Sequence, residues 1–168
     1  IGVAVWVLQY PRSITESELL SKIVDLARDH SVSGIIVQLP LPAHINTEIA
    51  LKAVPPAKDV DALNPESRMM SPVSRAVETI LDKYKIQMTG KKSVVVGRGK
   101  LVGQPLASWL QVKGSVVQVI DSETRNTGTI TKTADILILG AGQPHFLKPA
   151  MIKEGAVVID AGTSEADG

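Results

Sequence analysis

The stretch SVVVGRGKLVGQPLASWL, residues 93–110, limits the possible folds more than any other part of this chain. A β-branched run without polar interruption suits a strand buried on both faces. It stops at Gly97, and Gly99 and Gly103 follow before a helix predicted over 103–112. Strand, glycine turn and helix in that order open a βαβ unit, the connection that parallel strands require. Glycines at such a turn permit positive φ and let the backbone approach a pyrophosphate. The helix start beyond them offers unpaired amides and a partial positive charge to that anion. The spacing G-x-G-x-x-x-G is one residue longer than the common dinucleotide fingerprint.

The neighbouring residues fit the same pattern. A second strand, 115–120, ends at Asp121, about 20 residues past the glycines, where an acid can hold the adenosine ribose hydroxyls. Asp121 should repel a 2′-phosphate, which argues for NAD. Arg98 and Ser122 could instead hold that phosphate, which argues for NADP. Further strands at 136–140 and 156–161 end at Gly140, Gly142, Gly162 and Thr163, which would lie at the carboxyl edge of the sheet. The plainer reading is a nucleotide-free α/β domain with ordinary glycine turns and a solvated Asp121.

The first half alternates in the same way. VAVWVLQY reads as a buried strand over residues 3–8. Thr15 and Glu18 form a T-x-x-E capping box ahead of a helix. GIIVQLPLP follows, with a strand over 35–39 in which Ile35, Ile36 and Val37 read as buried on both faces. Gln38 sits at the mouth of that strand, and Pro40 and Pro42 stop further pairing. Asn46 or Thr47 opens a short helix, and PPAKDVDALNPESRMMSP is a long loop of the kind that is functional or disordered. A helix is predicted from about Arg75 to Tyr84, then a linker. The class is α/β, with two domains carrying parallel sheets, residues 1–85 and 86–168, the second Rossmann-like.

Composition removes several alternatives. The chain has 168 residues, a net charge of +1 and no cysteine, which excludes disulfides and thiolate-ligated metals. His30, His44 and His145 are far apart, so no metal site is predicted. No long basic run suggests nucleic acid, and no apolar run approaches the ~20 residues of a membrane span. No signal peptide is visible, from which a cytoplasmic location is expected. The chain begins without methionine, almost directly in a strand-like run, as the middle of a longer protein would.

V-Q-L-P-L-P at 37–42, P-x-K-D-V-D at 56–61 and G-R-x-x-x-V-G-x-P at 97–105, in that order, resemble the bifunctional methylenetetrahydrofolate dehydrogenase/cyclohydrolase family. The resemblance runs through ADILILGAGQP and AVVIDAGT and covers essentially the whole chain. It implies NAD- or NADP-dependent oxidation of 5,10-methylenetetrahydrofolate to the methenyl cation, then hydrolysis to 10-formyltetrahydrofolate. It also implies a partial folate-binding catalytic domain, a Rossmann-like domain lacking its C-terminal end, a cleft between them, and a homodimer. By resemblance Gln38 and Asp61 are catalytic, and Gln38, Leu39, Pro40 and Asp61 bind the folate. By resemblance Gly97, Arg98, Gly99 and Thr163 contact the nucleotide, and Gly103, Asp121, Ser122 and Gly142 are expected to join them from the turn and strand-end reading above.

The chain departs from the family pattern at several points. It contains no Y-x-x-x-K, the motif that carries the family's catalytic lysine, and no Pro-Gly-Gly-Val-Gly-Pro segment. SPVS, 71–74, stands for Pro-Cys-Thr-Pro, and Gly99 stands for a serine. Asp121 stands for a histidine or another neutral or basic residue, and Ala62 for a glycine. Two other readings are a nucleotide-binding remnant without chemistry and a Rossmann-type dehydrogenase of another substrate. The latter leaves P-x-K-D-V-D unexplained.

Overall fold

The computed structural model describes residues 2–162. They form two compact units, divided after Met69. The second unit is built on a parallel four-stranded sheet. Its strands are β1 (Lys92–Val96), β2 (Val116–Ile120), β3 (Ile136–Leu139) and β4 (Val157–Asp160), in spatial order β2-β1-β3-β4. β1 pairs with β2 from Lys92↔Val116 to Val96↔Ile120, and with β3 from Ser93↔Ile136 to Val96↔Leu139.

The uninterrupted valines of β1 are explained by cover on both faces. On one face Val95, Ile136, Ile138 and Ile159 pack with Leu106 and Leu110 of helix α4 (Gly103–Val112). Val77 and Leu81 of helix α3 (Pro72–Lys83) join the same cluster. On the other face Val94, Val96 and Leu137 pack with Ile120, Ala134, Ile130 and Phe146. Leu81, Leu106 and Leu110 are fully buried, each contributing about 1.5–3 kcal/mol of burial. A short helix, α5 (Thr127–Thr131), and a 3₁₀ turn (Pro149–Met151) complete the unit.

Two sequence expectations shift here. The boundary expected after residue 85 lies after Met69 by contacts, because α3 buries Val77 and Leu81 against α4 and the sheet. A 2.7 Å ion pair from Lys113 Nζ to Glu78 Oε1 also ties α3 to the end of α4. Helix α3 starts at Pro72, earlier than the Arg75 expected, because Ser71 caps it and Pro72 occupies its first position. SPVS is therefore a helix start, with Ser71 Oγ accepting Ser74 N at 3.3 Å and donating to Ser74 Oγ at 2.9 Å.

The first unit holds helices α1 (Glu16–Arg28) and α2 (Thr47–Ala53) around Ile23, Ile35, Ile45, Ala50 and Val54. The capping box forms as expected: Thr15 Oγ1 accepts Glu18 N, and Glu18 Oε2 accepts Thr15 N at 2.9 Å. Asn46 caps α2 by accepting Glu48 N and Ile49 N. The two strands expected in this unit are corrected. Residues 3–8 form no ladder among the described residues, and Val5 and Val7 are each 76% exposed. A strand exists only through hydrogen bonds to a neighbour, and an apolar run by itself supplies none. In 35–39 a single parallel bridge, Ile35↔Asp59, replaces the strand. Ile35 is buried while Ile36 is 62% exposed, so the α1–α2 core covers one face of this segment.

The loop after α2 is held by its own polar groups. Lys58 Nζ donates to the Asp29 carbonyl at 2.7 Å, and buried Asp59 accepts Asn64 N at 2.8 Å. Asn64 Nδ2 in turn donates to the Val54 carbonyl at 2.8 Å. The bend this imposes leaves Ala62 at φ 55. The left-handed region costs an L-residue about 1–2 kcal/mol, partly offset in glycine by its larger unfolded-state entropy. Ala62→Gly should therefore raise stability by about 0.5–1 kcal/mol in equilibrium denaturation. A loss of stability would contradict the strain assignment.

Candidate functional site

The carboxyl edge of the sheet collects most of the residues singled out from sequence. Gly97 follows β1 at φ 106, a backbone state that favours glycine, and donates its N–H to the Ile120 carbonyl at 2.7 Å. Gly103 begins α4 so close to the strand end that any side chain there would run into the Gly97 carbonyl oxygen. Gly99, by contrast, faces open space, so packing does not demand glycine at that position. Helix α4 has no side-chain cap at its start, but Gln104 N donates to the Gly99 carbonyl at 3.1 Å and Pro105 carries no N–H, which leaves Gly103 as the first-turn position whose N–H can meet an outside acceptor and narrows the anion site expected from sequence.

Asp121 lies just past β2, in the strand next to the glycine turn. Arg98 Nε approaches Asp121 Oδ2 at 2.6 Å. Thr124 Oγ1 donates to Asp121 Oδ1 at 2.8 Å and accepts Asp121 N at 3.0 Å. The Thr124 hydroxyl, with the Glu123 amide and Arg98, holds the Asp121 carboxyl below the usual aspartate range. Ser122 is exposed beside it. Sequence reasoning found Asp121 but not Thr124, although D-x-x-T after a strand is a local turn signal.

On the other side of the glycine turn, a recess of about 180 Å³ opens where β1, β3 and β4 end. Val96, Leu139, Gly142, His145, Asp160 and Gly162 are among its lining residues. His145 sits there at φ 57 and was not singled out from sequence as a site residue. Thr163 lies outside the described residues.

Gln38, Leu39, Pro40 and Asp61 belong to the first unit. Gln38 is exposed and its Nε2 donates to the Leu39 carbonyl at 2.9 Å. The parallel bridge Ile35↔Asp59, with Ile35 N donating to the Lys58 carbonyl at 2.7 Å, makes the segments bearing Gln38 and Asp61 neighbours running the same way. Lys58 and Asp59 are thus engaged in holding the loop, and sequence reasoning missed Asn64, which supports Asp59 and ties the loop to the end of α2. Asp61 is half-buried, and burial pushes its carboxyl up, with the negative charge of Asp59 adding to the shift.

A parallel α/β unit with a glycine turn at its switch point, an acid ending the adjacent strand and a recess across the carboxyl edge is a Rossmann-type dinucleotide-binding unit. The chain belongs to the tetrahydrofolate dehydrogenase/cyclohydrolase family. Residues 71–168 match the model of that family's NAD(P)-binding domain, and residues 1–61 the model of its catalytic domain. Among curated relatives, the bifunctional protein FolD 2 of Lactobacillus johnsonii is 36% identical over all of this chain and 63% of its own length. FolD of Halothermothrix orenii is 39% identical, again over 63% of its length. The chain therefore spans under two thirds of these relatives. Among solved structures, the bifunctional FolD of Campylobacter jejuni superposes with a TM-score of 0.85 at 37% identity, over 90% of this chain and 57% of that one. The Trypanosoma brucei enzyme, solved with NADP and an inhibitor, gives 0.88 at 32%, over 94% of this chain and 58% of that one. No helix among the described residues is long and apolar enough to cross a membrane.

The raised Asp61 pKa has a consequence for stability. A carboxyl that is harder to ionise in the folded state than in the unfolded one makes the fold less stable as pH rises through the interval between the two values. Asp61→Asn should remove that penalty. Its stability relative to the parent should grow as pH rises through and above the usual aspartate range, and vanish below it. A difference that stays constant with pH in denaturation from acid to neutral conditions would refute the assignment.

Proposed function

We propose that the chain binds NAD or NADP along the carboxyl edge of its sheet and serves the oxidation of 5,10-methylenetetrahydrofolate to 5,10-methenyltetrahydrofolate and its hydrolysis to 10-formyltetrahydrofolate. The observation that carries this reading is the turn from Gly97 to Gly103, where backbone alone fills the space beside the start of α4. In this reading Gly97, Gly99 and Gly103 lie against the pyrophosphate, and Arg98, paired with Asp121, flanks them on the adenosine side. Asp121 and Ser122 face the adenosine ribose. Gly142 and Thr163 serve the nicotinamide half, whose bound ring supplies the hydride acceptor.

Gln38 and Asp61 carry the folate side of the proposal. Asp61 accepts two hydrogen bonds from the pterin amino and ring N–H groups. Those donors favour its ionised form, against the burial that raises its pKa. Gln38 orients a water, or a lysine, without placing a charge beside the developing cation. Water adds to the methenyl carbon and loses one proton to solvent; one C–N bond then breaks with its electron pair passing to the nitrogen, which takes the remaining hydroxyl proton as the formyl C=O forms. Leu39 and Pro40 hold Gln38 in a rigid segment, as a preorganised site needs. A homodimer, on the family resemblance alone, and a cytoplasmic location, on the nucleotide cofactor, complete the reading.

Gln38→Ala in the full-length protein should slow methenyl hydrolysis by about a hundredfold or more while leaving dinucleotide affinity unchanged. Hydrolysis and oxidation rates both equal to the parent's would remove Gln38 from the mechanism.

A further inference from the structure

The two partners of the Arg98–Asp121 ion pair are held very differently. The Asp121 carboxylate is fixed by its own turn: Oδ1 accepts Thr124 Oγ1 at 2.8 Å and Glu123 N at 3.2 Å, and Thr124 N donates back to the Asp121 carbonyl at 3.1 Å. Its side chain is 24% exposed, that of Arg98 64%. Arg98 is therefore the arm that can move, and Asp121 the fixed acceptor. The parallel register places them together, since Val96 pairs with Ile120 and Gly97 N donates to the Ile120 carbonyl. Both then stand at the ends of β1 and β2, on the opposite side of the glycine turn from the recess over β3 and β4.

That is the position where an adenosine ribose meets the second strand in a Rossmann-type unit. From sequence alone, Arg98 and Asp121 argued for opposite cofactors. The geometry joins them, and we propose that this chain selects NAD over NADP through the Asp121–Arg98 pair, an inference that rests on the dinucleotide reading above. Asp121 Oδ2 keeps acceptor capacity beside Arg98 for a ribose hydroxyl, which is a donor. A 2′-phosphate is an acceptor carrying about −1.5 to −2 charges. It meets a fixed carboxylate of like sign, and the only adjacent cation in the pair is already neutralised by that carboxylate. Turning Arg98 to the phosphate would leave Asp121 unpaired against it. The Thr124 hydroxyl and the other donors keep Asp121 anionic at neutral pH, so the repulsion is not relieved by protonation.

The test is calorimetric titration of the full chain with ADP-ribose and with 2′-phospho-ADP-ribose, which isolate the adenosine half. The chain should bind ADP-ribose at least about tenfold more tightly. Asp121→Asn keeps an acceptor for Thr124 and should shrink that preference about tenfold or invert it. Arg98→Ala, at an exposed side chain, should leave ADP-ribose preferred. Tighter binding of 2′-phospho-ADP-ribose by the parent chain, or its selective loss in Arg98→Ala, would overturn the selectivity while leaving the dinucleotide site intact. Binding of neither ligand by a folded chain would overturn the dinucleotide reading and this inference together.

Discussion

The contact between the start of α4 and the end of β1 governs the rest of this structure. At Gly103 the helix backbone lies against the Gly97 carbonyl with no room for a side chain. That closeness fixes where α4 begins, and so how Leu106 and Leu110 reach Val95 and Ile138 beneath it. Arg98, carried in the turn between β1 and α4, comes within reach of Asp121 on the next strand. One steric constraint thus sets both the packing of the core and the meeting of Arg98 with Asp121.

The first unit depends on a different device. With a single parallel bridge between residues 35 and 59, the loop after α2 is held by polar side chains rather than by a ladder. Lys58 reaches the end of α1, Asn64 reaches the end of α2, and Asp59 closes the turn between them. Asp61 is left half-buried next to a second carboxylate, which raises its pKa. Ala62 absorbs the bend in the left-handed region. Charge and strain are concentrated beside Asp61, the residue proposed to hold the pterin, as preorganised sites commonly show.

How much of this was readable beforehand follows from how local each signal is. The Thr15–Glu18 box, the extent of α4 and the strands of the second unit are written in short-range spacing, and all appear in the structure. The start of α3 has a local signal too, Ser71 before Pro72, which lies outside the apolar spacing that marks the helix from Arg75. Residues 3–8 and 35–39 were misread because an apolar run announces burial but does not name its hydrogen-bonding neighbour. α5 was missed because TGTIT has no helical periodicity, and its start at Asn126 adopts the left-handed region. At the site, Gly97, Gly103 and Asp121 were legible as types at a spacing. That Arg98 would engage Asp121 depended on the register of β1 with β2, which no local pattern encodes.

Amide NMR of the full chain during titration with NAD tests the central claim most directly, because each backbone N–H reports its own surroundings. The account predicts shifts concentrated at residues 97–103, at 121–124 and around the recess at 140–147, with residues of α1 and α2 little changed. Shifts centred elsewhere, or none from a folded chain, would contradict it.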